Sequence, residues 1–297
     1  MSEAPIRPPA RIALIGLGNM GVPMAARLVA AGYRVSGYDP AAEARERFAR
    51  EAKGEPASDL ASAPRDAAAV ITMLPDGKIV RAVLQGMRPR SPPGTIVIDM
   101  SSSDPVGTRA LGEELAAAGL CLLDAPVSGG VKRAVDGSLA IMAGGDPAAV
   151  DAVEPVLSAM GKTIFRTGPL GSGHAMKALN NCVSGAGLIA AVEALRIGRA
   201  FGLDPDVMVD VLNASTGRNN ATEVKLKQFV ISETFASGFS IGLMAKDIRT
   251  ADELAAAMGV PAPLADSTAA LWDDAARALG AAADHTAVAR YPEGRVG

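Results

Sequence analysis

Aromatic side chains are scarce in this 297-residue chain, only 3% of positions, and that shortage removes the stacking platforms used to bind single-stranded nucleic acid. Cysteine is scarcer still. Cys121 and Cys182 are too few and too far apart to build a disulfide framework or a thiolate metal cluster, so both are expected to be reduced thiols and no metal site is expected. Charge of one sign is also lacking: 29 Lys and Arg against 32 Asp and Glu leave a net charge of -3. No overall basic field is present to hold nucleic acid or an anionic membrane, and any anion must be bound locally. The start, "MSEAPIRPPA", has no apolar signal core, and the sequence presents no apolar run of the roughly 18 residues that a membrane span needs. The expectation is a cytoplasmic protein with neither nucleic-acid nor membrane partners.

What is present is an ordinary globular composition, 49% hydrophobic and 21% charged, in a chain long enough for two domains. The first half alternates β-like runs, "RIALIG", "YRVSGYD", "AVITML", "GTIVIDM", "GLCLLDAP" and "LAIMAGG", with helix-like ones such as "GVPMAARLVAAG". This alternation predicts βαβ units and a mostly parallel sheet, an α/β, Rossmann-like doubly wound domain. After "KTIFRTG" the β signal stops. Residues 172–201 read as one helix about 45 Å long, and "DPDVMVDVL", "SIGLMAKDIRTADELAAAMG" and "PLADSTAALWDDAARALG" continue with helical periodicity. The expected layout is a dinucleotide-binding domain over 1–167, then a long interdomain helix opening an all-helical C-terminal domain over 168–297.

"RIALIGLGNMG" places Gly16, Gly18 and Gly21 in a GxGxxG pattern directly between a strand and an amphipathic helix, with Leu17, Asn19 and Met20 completing the loop. The first glycine allows a tight turn, the second lets a pyrophosphate approach the backbone, and the third lets helix and strand pack closely. Asp39 ends the second strand in "VSGYDP", where a carboxylate can bond the adenosine ribose hydroxyls or simply start a turn. That carboxylate would repel a 2'-phosphate and no basic residue follows until Arg45, so NAD is expected in preference to NADP. Leu74, Pro75 and Ser102 close the next two strand signals, where an open sheet holds its ligand or where strands merely turn.

Inside the long apolar helix, "GHAMKALNNCVSG" sets Lys177, Asn180 and Asn181 on one face, with Ser184 a turn further on. Two asparagines beside a lysine form either a solvated face or a reactive stripe, since buried amides need partners. His174, one turn before Lys177, fits a capping or surface position, and no histidine pairs with Cys182 in sequence to make it a nucleophile.

"GLGNMGVPMA", "DAPVSGG", "GSGHAMKALNN" and "LMAKDI", in that order and at these separations, resemble the β-hydroxyacid dehydrogenase family, whose members include 3-hydroxyisobutyrate dehydrogenase and tartronate semialdehyde reductase. The resemblance runs from Arg11 almost to the C-terminus. It implies a Rossmann domain, a long interdomain helix, a helical domain that completes a homodimer or homotetramer, and a cleft between the domains. It also implies roles: Lys177 as the catalytic lysine, Ser128, Gly129 and Gly130 as the substrate-carboxylate loop, Asn180 and Asn181 as substrate-side polar groups, and Lys246 as a second lysine beside cofactor and substrate. Two stretches depart from the family pattern. Asp284, His285 and Thr286 stand where many members have Asp-Phe-Ser, and "GRNN" at Gly217 to Asn220 replaces a loop containing an aromatic residue.

The chemistry gives the stripe a purpose. Hydride transfer to a carbonyl leaves an alkoxide that needs a proton, which a lysine ordinarily carries at neutral pH; in oxidation the same lysine must be neutral, so an alkaline optimum is expected. The reading is an NAD-dependent oxidoreductase interconverting a small 3-hydroxy acid and its semialdehyde or oxo acid, with Lys177 as general acid/base. Alternatives are an imine reductase-like enzyme, a relative of 6-phosphogluconate dehydrogenase, or a non-catalytic dinucleotide-binding sensor; keeping Lys177 argues against the first and last. The particular acid, its handedness and the oligomer size are left open.

Overall fold

The computed structural model describes residues 4–87 and 94–291. Its contact pattern divides the chain into two compact units, Met1–Lys177 and Ala178–Gly297.

In the first unit β1 (Arg11–Ile15), β2 (Arg34–Tyr38), β4 (Ala69–Thr72), β5 (Ile96–Asp99) and β6 (Cys121–Asp124) form the parallel part of one sheet. Across that sheet the order is β3-β2-β1-β4-β5-β6-β8-β7, where β3 is Glu55–Pro56, β7 is Val127–Ser128 and β8 is Leu139–Gly144. β9 (Gly161–Gly168) adds in parallel to β8, while β8 meets β6 and β7 antiparallel. The central strands β1, β4, β5 and β6 carry apolar residues at consecutive positions because both faces are covered. From β1, Ile12 and Leu14 enter one core, with Met24 and Leu28 of α1 (Gly21–Ala30) and Val153 and Leu157 of α6 (Pro147–Met160). Ala13 and Ile15 enter the other, with Val80 and Leu84 of α3 (Gly77–Met87) and Leu111 and Leu115 of α4 (Pro105–Ala116). The doubly wound expectation is met. α2 (Ala42–Arg47) runs into a π turn, Phe48–Ala52, and α5 (Gly130–Asp136) follows β7.

The long helix α7 spans Ser172–Phe201, as its sequence predicts, and it carries the division between the two units. By length and composition α7 is long and apolar enough to cross a membrane, which corrects the expectation that the chain holds no such run. Its apolar character comes from alanine, valine, leucine and isoleucine interspersed with glycines and polar residues, and 39% of its most apolar stretch is buried within the protein.

The second unit is helical: α8 (Pro205–Ala214), a π-helix (Ala221–Ile231), α9 (Ile241–Ala257), α10 (Pro263–Leu279) and a closing 3-10 turn (His285–Arg290). Its core gathers Leu188 and Leu195 of α7, Leu226, Ile241, Ile248 and the fully buried Trp272. Side-chain caps set the starts: Asp204 for α8 and Ser240 for α9. Asn219, in the "GRNN" stretch, accepts the amides of Ala221 and Thr222 and so opens the π-helix.

Candidate active site

The glycine loop has the geometry its spacing predicts. Gly16 sits at φ +97°, and a Cβ there would lie 2.2 Å from the Met73 carbonyl oxygen; one on Gly21 would lie 1.9 Å from the Gly16 carbonyl oxygen. A side chain at Gly18 would meet nothing within 4 Å, so backbone is open to a ligand at that point. No side chain caps the N-terminus of α1, and its amides face the loop. This combination fits a pyrophosphate: an open approach, close helix packing and the positive end of a helix.

Asp39 lies half-buried beside the loop. Its Oδ2 accepts the Leu17 amide at 2.9 Å and its Oδ1 accepts the Ala41 amide at 2.9 Å. Arg45 lies over the Tyr38 ring and donates to the carbonyls of Asp39 and Pro40, while Arg47 donates to the Leu17 carbonyl. The sheet order, with β4 beside β1, brings Leu74 against the same loop, and the exposed Pro75 follows it. The Leu74 amide donates to Ser101, next to Ser102, and a Cβ on Gly16 would reach Leu74 at 3.1 Å. Asn19 is exposed and Met20 half-buried.

Ser128 is half-buried on β7, and Gly129 and Gly130 follow at φ +127° and +66°, a conformation that favours glycine.

The start of α7 is anchored by Asp124, at the end of β6. Its Oδ1 accepts the Gly171 amide and its Oδ2 the His174 amide, at 2.8 and 2.7 Å. Glycine is required at position 173, where a Cβ would lie 2.1 Å from the Met142 carbonyl oxygen. His174 is not a surface residue, contrary to the expectation. Its side chain is wholly buried, with Nδ1 2.9 Å from the Thr108 hydroxyl and Nε2 3.6 Å from an Asp99 carboxylate oxygen. Its burial comes from β5, β6 and α4, which are distant in sequence and give no local signal. Lys177, one turn later, is buried as well.

Further along α7 the stripe has defined partners. Asn180 donates from Nδ2 to Asn181 Oδ1, and Asn181 donates from Nδ2 to Asp247 Oδ2 at 2.6 Å. Lys246 Nζ lies 3.3 Å from the other oxygen of Asp247. Asp247 is therefore buried and central to the cluster, whereas in sequence it and Lys246 read equally well as an exposed pair. Cys182 is half-buried, and burial raises its thiol pKa, with Asp252 adding to the effect, so the thiolate is disfavoured.

Sequence reasoning missed Lys225. This lysine of the π-helix is 9% exposed and places Nζ 3.2 Å from Ser184 Oγ, on the α7 stripe. Burial lowers its pKa to about 8, against a smaller upward pull from Asp284. Asp284 and His285 stand nearby. Burial and then Lys225 push the His285 imidazole down to about 4, and its Nδ1 is bonded to Ser237 and the Phe239 carbonyl.

Comparison with known proteins identifies the family of the chain. The profile described as "NAD binding domain of 6-phosphogluconate dehydrogenase" matches residues 11–168, and "NAD-binding of NADP-dependent 3-hydroxyisobutyrate dehydrogenase" matches residues 171–292. The chain belongs to the β-hydroxyacid dehydrogenase family. It is 35% identical to 2-(hydroxymethyl)glutarate dehydrogenase of Eubacterium barkeri, covering 91% of this chain and 90% of that one. It is also 35% identical to NAD-dependent L-serine dehydrogenase of Pseudomonas aeruginosa, covering 88% and 91%. The solved structure of Mycobacterium tuberculosis 3-hydroxyisobutyrate dehydrogenase with L-serine superposes with a TM-score of 0.88 at 36% identity, over 95% of this chain and 98% of that one. The β-hydroxyacid dehydrogenase fold thus accounts for the doubly wound unit, α7 and the helical unit together.

Proposed function

We propose that this family member is an NAD-dependent dehydrogenase that interconverts a small 3-hydroxy acid and its semialdehyde. One observation carries the reading: Lys177 is buried on α7 one turn before Asn181, whose amide is fixed by the buried Asp247. A solvated polar face would need neither burial nor a 2.6 Å bond to a carboxylate.

The Gly16, Gly18 and Gly21 loop, the start of α1, Asp39, Leu74, Pro75 and Ser102 would hold the dinucleotide, which when bound supplies the hydride acceptor. Lys177 Nζ takes the hydroxyl proton in oxidation and returns it to the alkoxide oxygen in reduction. Asn181, oriented by Asp247, and Asn180 hold the reacting oxygen, and the family resemblance assigns Lys246, paired with Asp247, to cofactor and substrate. Ser128 with the amides of Gly129 and Gly130 receives the substrate carboxylate. NAD preference rests on Asp39, since Arg45 and Arg47 are already engaged by backbone carbonyls. The relatives named for 2-(hydroxymethyl)glutarate and L-serine support an acid bearing a primary alcohol. Residues 1–167 take the cofactor, and 168–297 carry substrate and subunit contacts. A homodimer or homotetramer is supported by bare apolar side chains on α7, among them Val183 at 75% and Phe201 at 84% exposure. Two free thiols suit a reducing cytoplasm.

The test pairs two measurements on Lys177→Ala. NAD affinity by fluorescence titration should stay close to wild type, while kcat on the best hydroxy acid falls by about 10² or more. A fall of less than about tenfold would remove Lys177 from proton transfer, and collapse of NAD binding would make the stripe a cofactor clamp.

A further inference from the structure

Lys225 is a charge without a counter-charge. Among the described residues no carboxylate lies within 4 Å of its Nζ, and its recorded hydrogen bond is to the neutral Ser184 hydroxyl. Asp284, the acid closest in effect, is spent elsewhere: it accepts from Ser237, from the Gly238 amide and from the amide and hydroxyl of Thr286. His285 turns Nδ1 to Ser237 and Phe239, and its Nε2, the only ring atom left, has no partner. An ammonium on a residue only 9% exposed, with one neutral acceptor, is costly unless an anion arrives to complete it.

Its location says which anion. Ser184 continues the face of α7 that carries Lys177 and Asn181, seven residues beyond Lys177 and so about 10 Å along the helix axis. We propose that the Lys225 ammonium, seated on Ser184, is a specificity residue that receives a second carboxylate on the substrate, so that the preferred substrate is a hydroxy diacid whose far carboxylate lies several carbons from the reacting hydroxyl. This rests on the dehydrogenase reading above. The reacting oxygen is held on α7 at Lys177 and Asn181, and the second carboxylate reaches one helical turn past Asn181 along the same helix. Burial has already brought the Lys225 pKa down to about 8, and an arriving carboxylate would raise it again, so binding of the diacid keeps the lysine charged.

The experiment compares wild type, Lys225→Met and Lys225→Arg in two assays. In the first, kcat/KM is measured with NAD on 2-(hydroxymethyl)glutarate and on 3-hydroxyisobutyrate, which share a primary alcohol and differ in the second carboxylate. Wild type should favour the diacid, Lys225→Met should lower the diacid-to-monoacid ratio by about 10- to 100-fold, chiefly through KM, and Lys225→Arg should restore part of it. In the second, thermal shift in the presence of NAD is recorded with glutarate and with butyrate. Glutarate should raise the Tm of wild type and not of Lys225→Met, while butyrate should treat the two alike. An unchanged substrate ratio together with equal glutarate shifts overturns the assignment of Lys225 and leaves the dehydrogenase reading standing. A wild type that oxidises neither acid nor any other short hydroxy acid overturns both.

Discussion

Replacing Lys225 by Met should make the protein more stable, and the gain should depend on pH in a defined way. In the folded chain burial lowers the lysine pKa from 10.5 to about 8. At 1.36 kcal/mol per tenfold change in proton affinity, that fall corresponds to on the order of 3 kcal/mol of destabilisation. Between about pH 8 and 10.5 the unfolded chain holds the proton and the folded chain does not, so wild-type stability rises with pH over that window. Below about pH 8 both states are protonated and the full penalty is present. Methionine has a similar length and no charge; it forfeits the Ser184 bond, worth about 1 kcal/mol, leaving a net gain on the order of 2 kcal/mol at pH 7 and little above pH 10.5. Thermal unfolding should show a Tm higher by on the order of 5 °C at pH 7. Urea titrations at pH 7, 8.5 and 10 should show the two proteins converging. A Lys225→Met protein that is equal to or less stable than wild type at pH 7, with a parallel pH profile, would refute the picture of an uncompensated buried charge. A residue that costs stability where it stands is what a binding role would explain.

His285 supplies the acid-side counterpart: with its folded pKa lowered from 6.5 to about 4, stability should be lost as pH falls through that window. The loss should reach on the order of 3 kcal/mol, and His285→Phe should shrink the difference between urea midpoints at pH 7 and pH 4.5. Gly21→Ala forces a methyl to within 1.9 Å of the Gly16 carbonyl oxygen, so the loop must open. NAD affinity by fluorescence titration should weaken at least about tenfold, and unaltered affinity would contradict the close-packing role. Asp39→Ser removes the carboxylate that accepts the Leu17 amide of the glycine loop while Arg45 and Arg47 remain. The ratio of kcat/KM for NADP to that for NAD should rise by about 10-fold or more, and no change would dissociate Asp39 from cofactor choice.

Which features were legible in the sequence follows from how local their causes are. β1, β4, β5 and β6 could be read because each is a largely apolar run, buried on both faces, ending in turn chemistry. The glycine loop could be read because its three glycines fall within six residues, at a spacing that marks it whatever packs against them. α7 could be bounded at Ser172 and Phe201 because glycines stand on either side of it. The two-residue strands β3 and β7 could not, since their pairing partners and not their own sequences define them.

Sequence alone determined the βαβ order, the phosphate loop, the long helix and the alignment of Lys177, Asn180 and Asn181 on one of its faces, because each follows from spacing along the chain. Tertiary structure decided the rest. Asp247 becomes the partner of Asn181 from 66 positions away, and His174 is buried against Asp99, Thr108 and Asp124. Lys225 gave no local signal because a lysine beside Ala221, Thr222, Leu226 and Val230 reads in sequence as a charge turned to solvent, whereas the π-helix buries all five together. Whether a charged side chain meets water, a counter-ion or neither depends on what other segments bring to it, and local spacing carries no record of that.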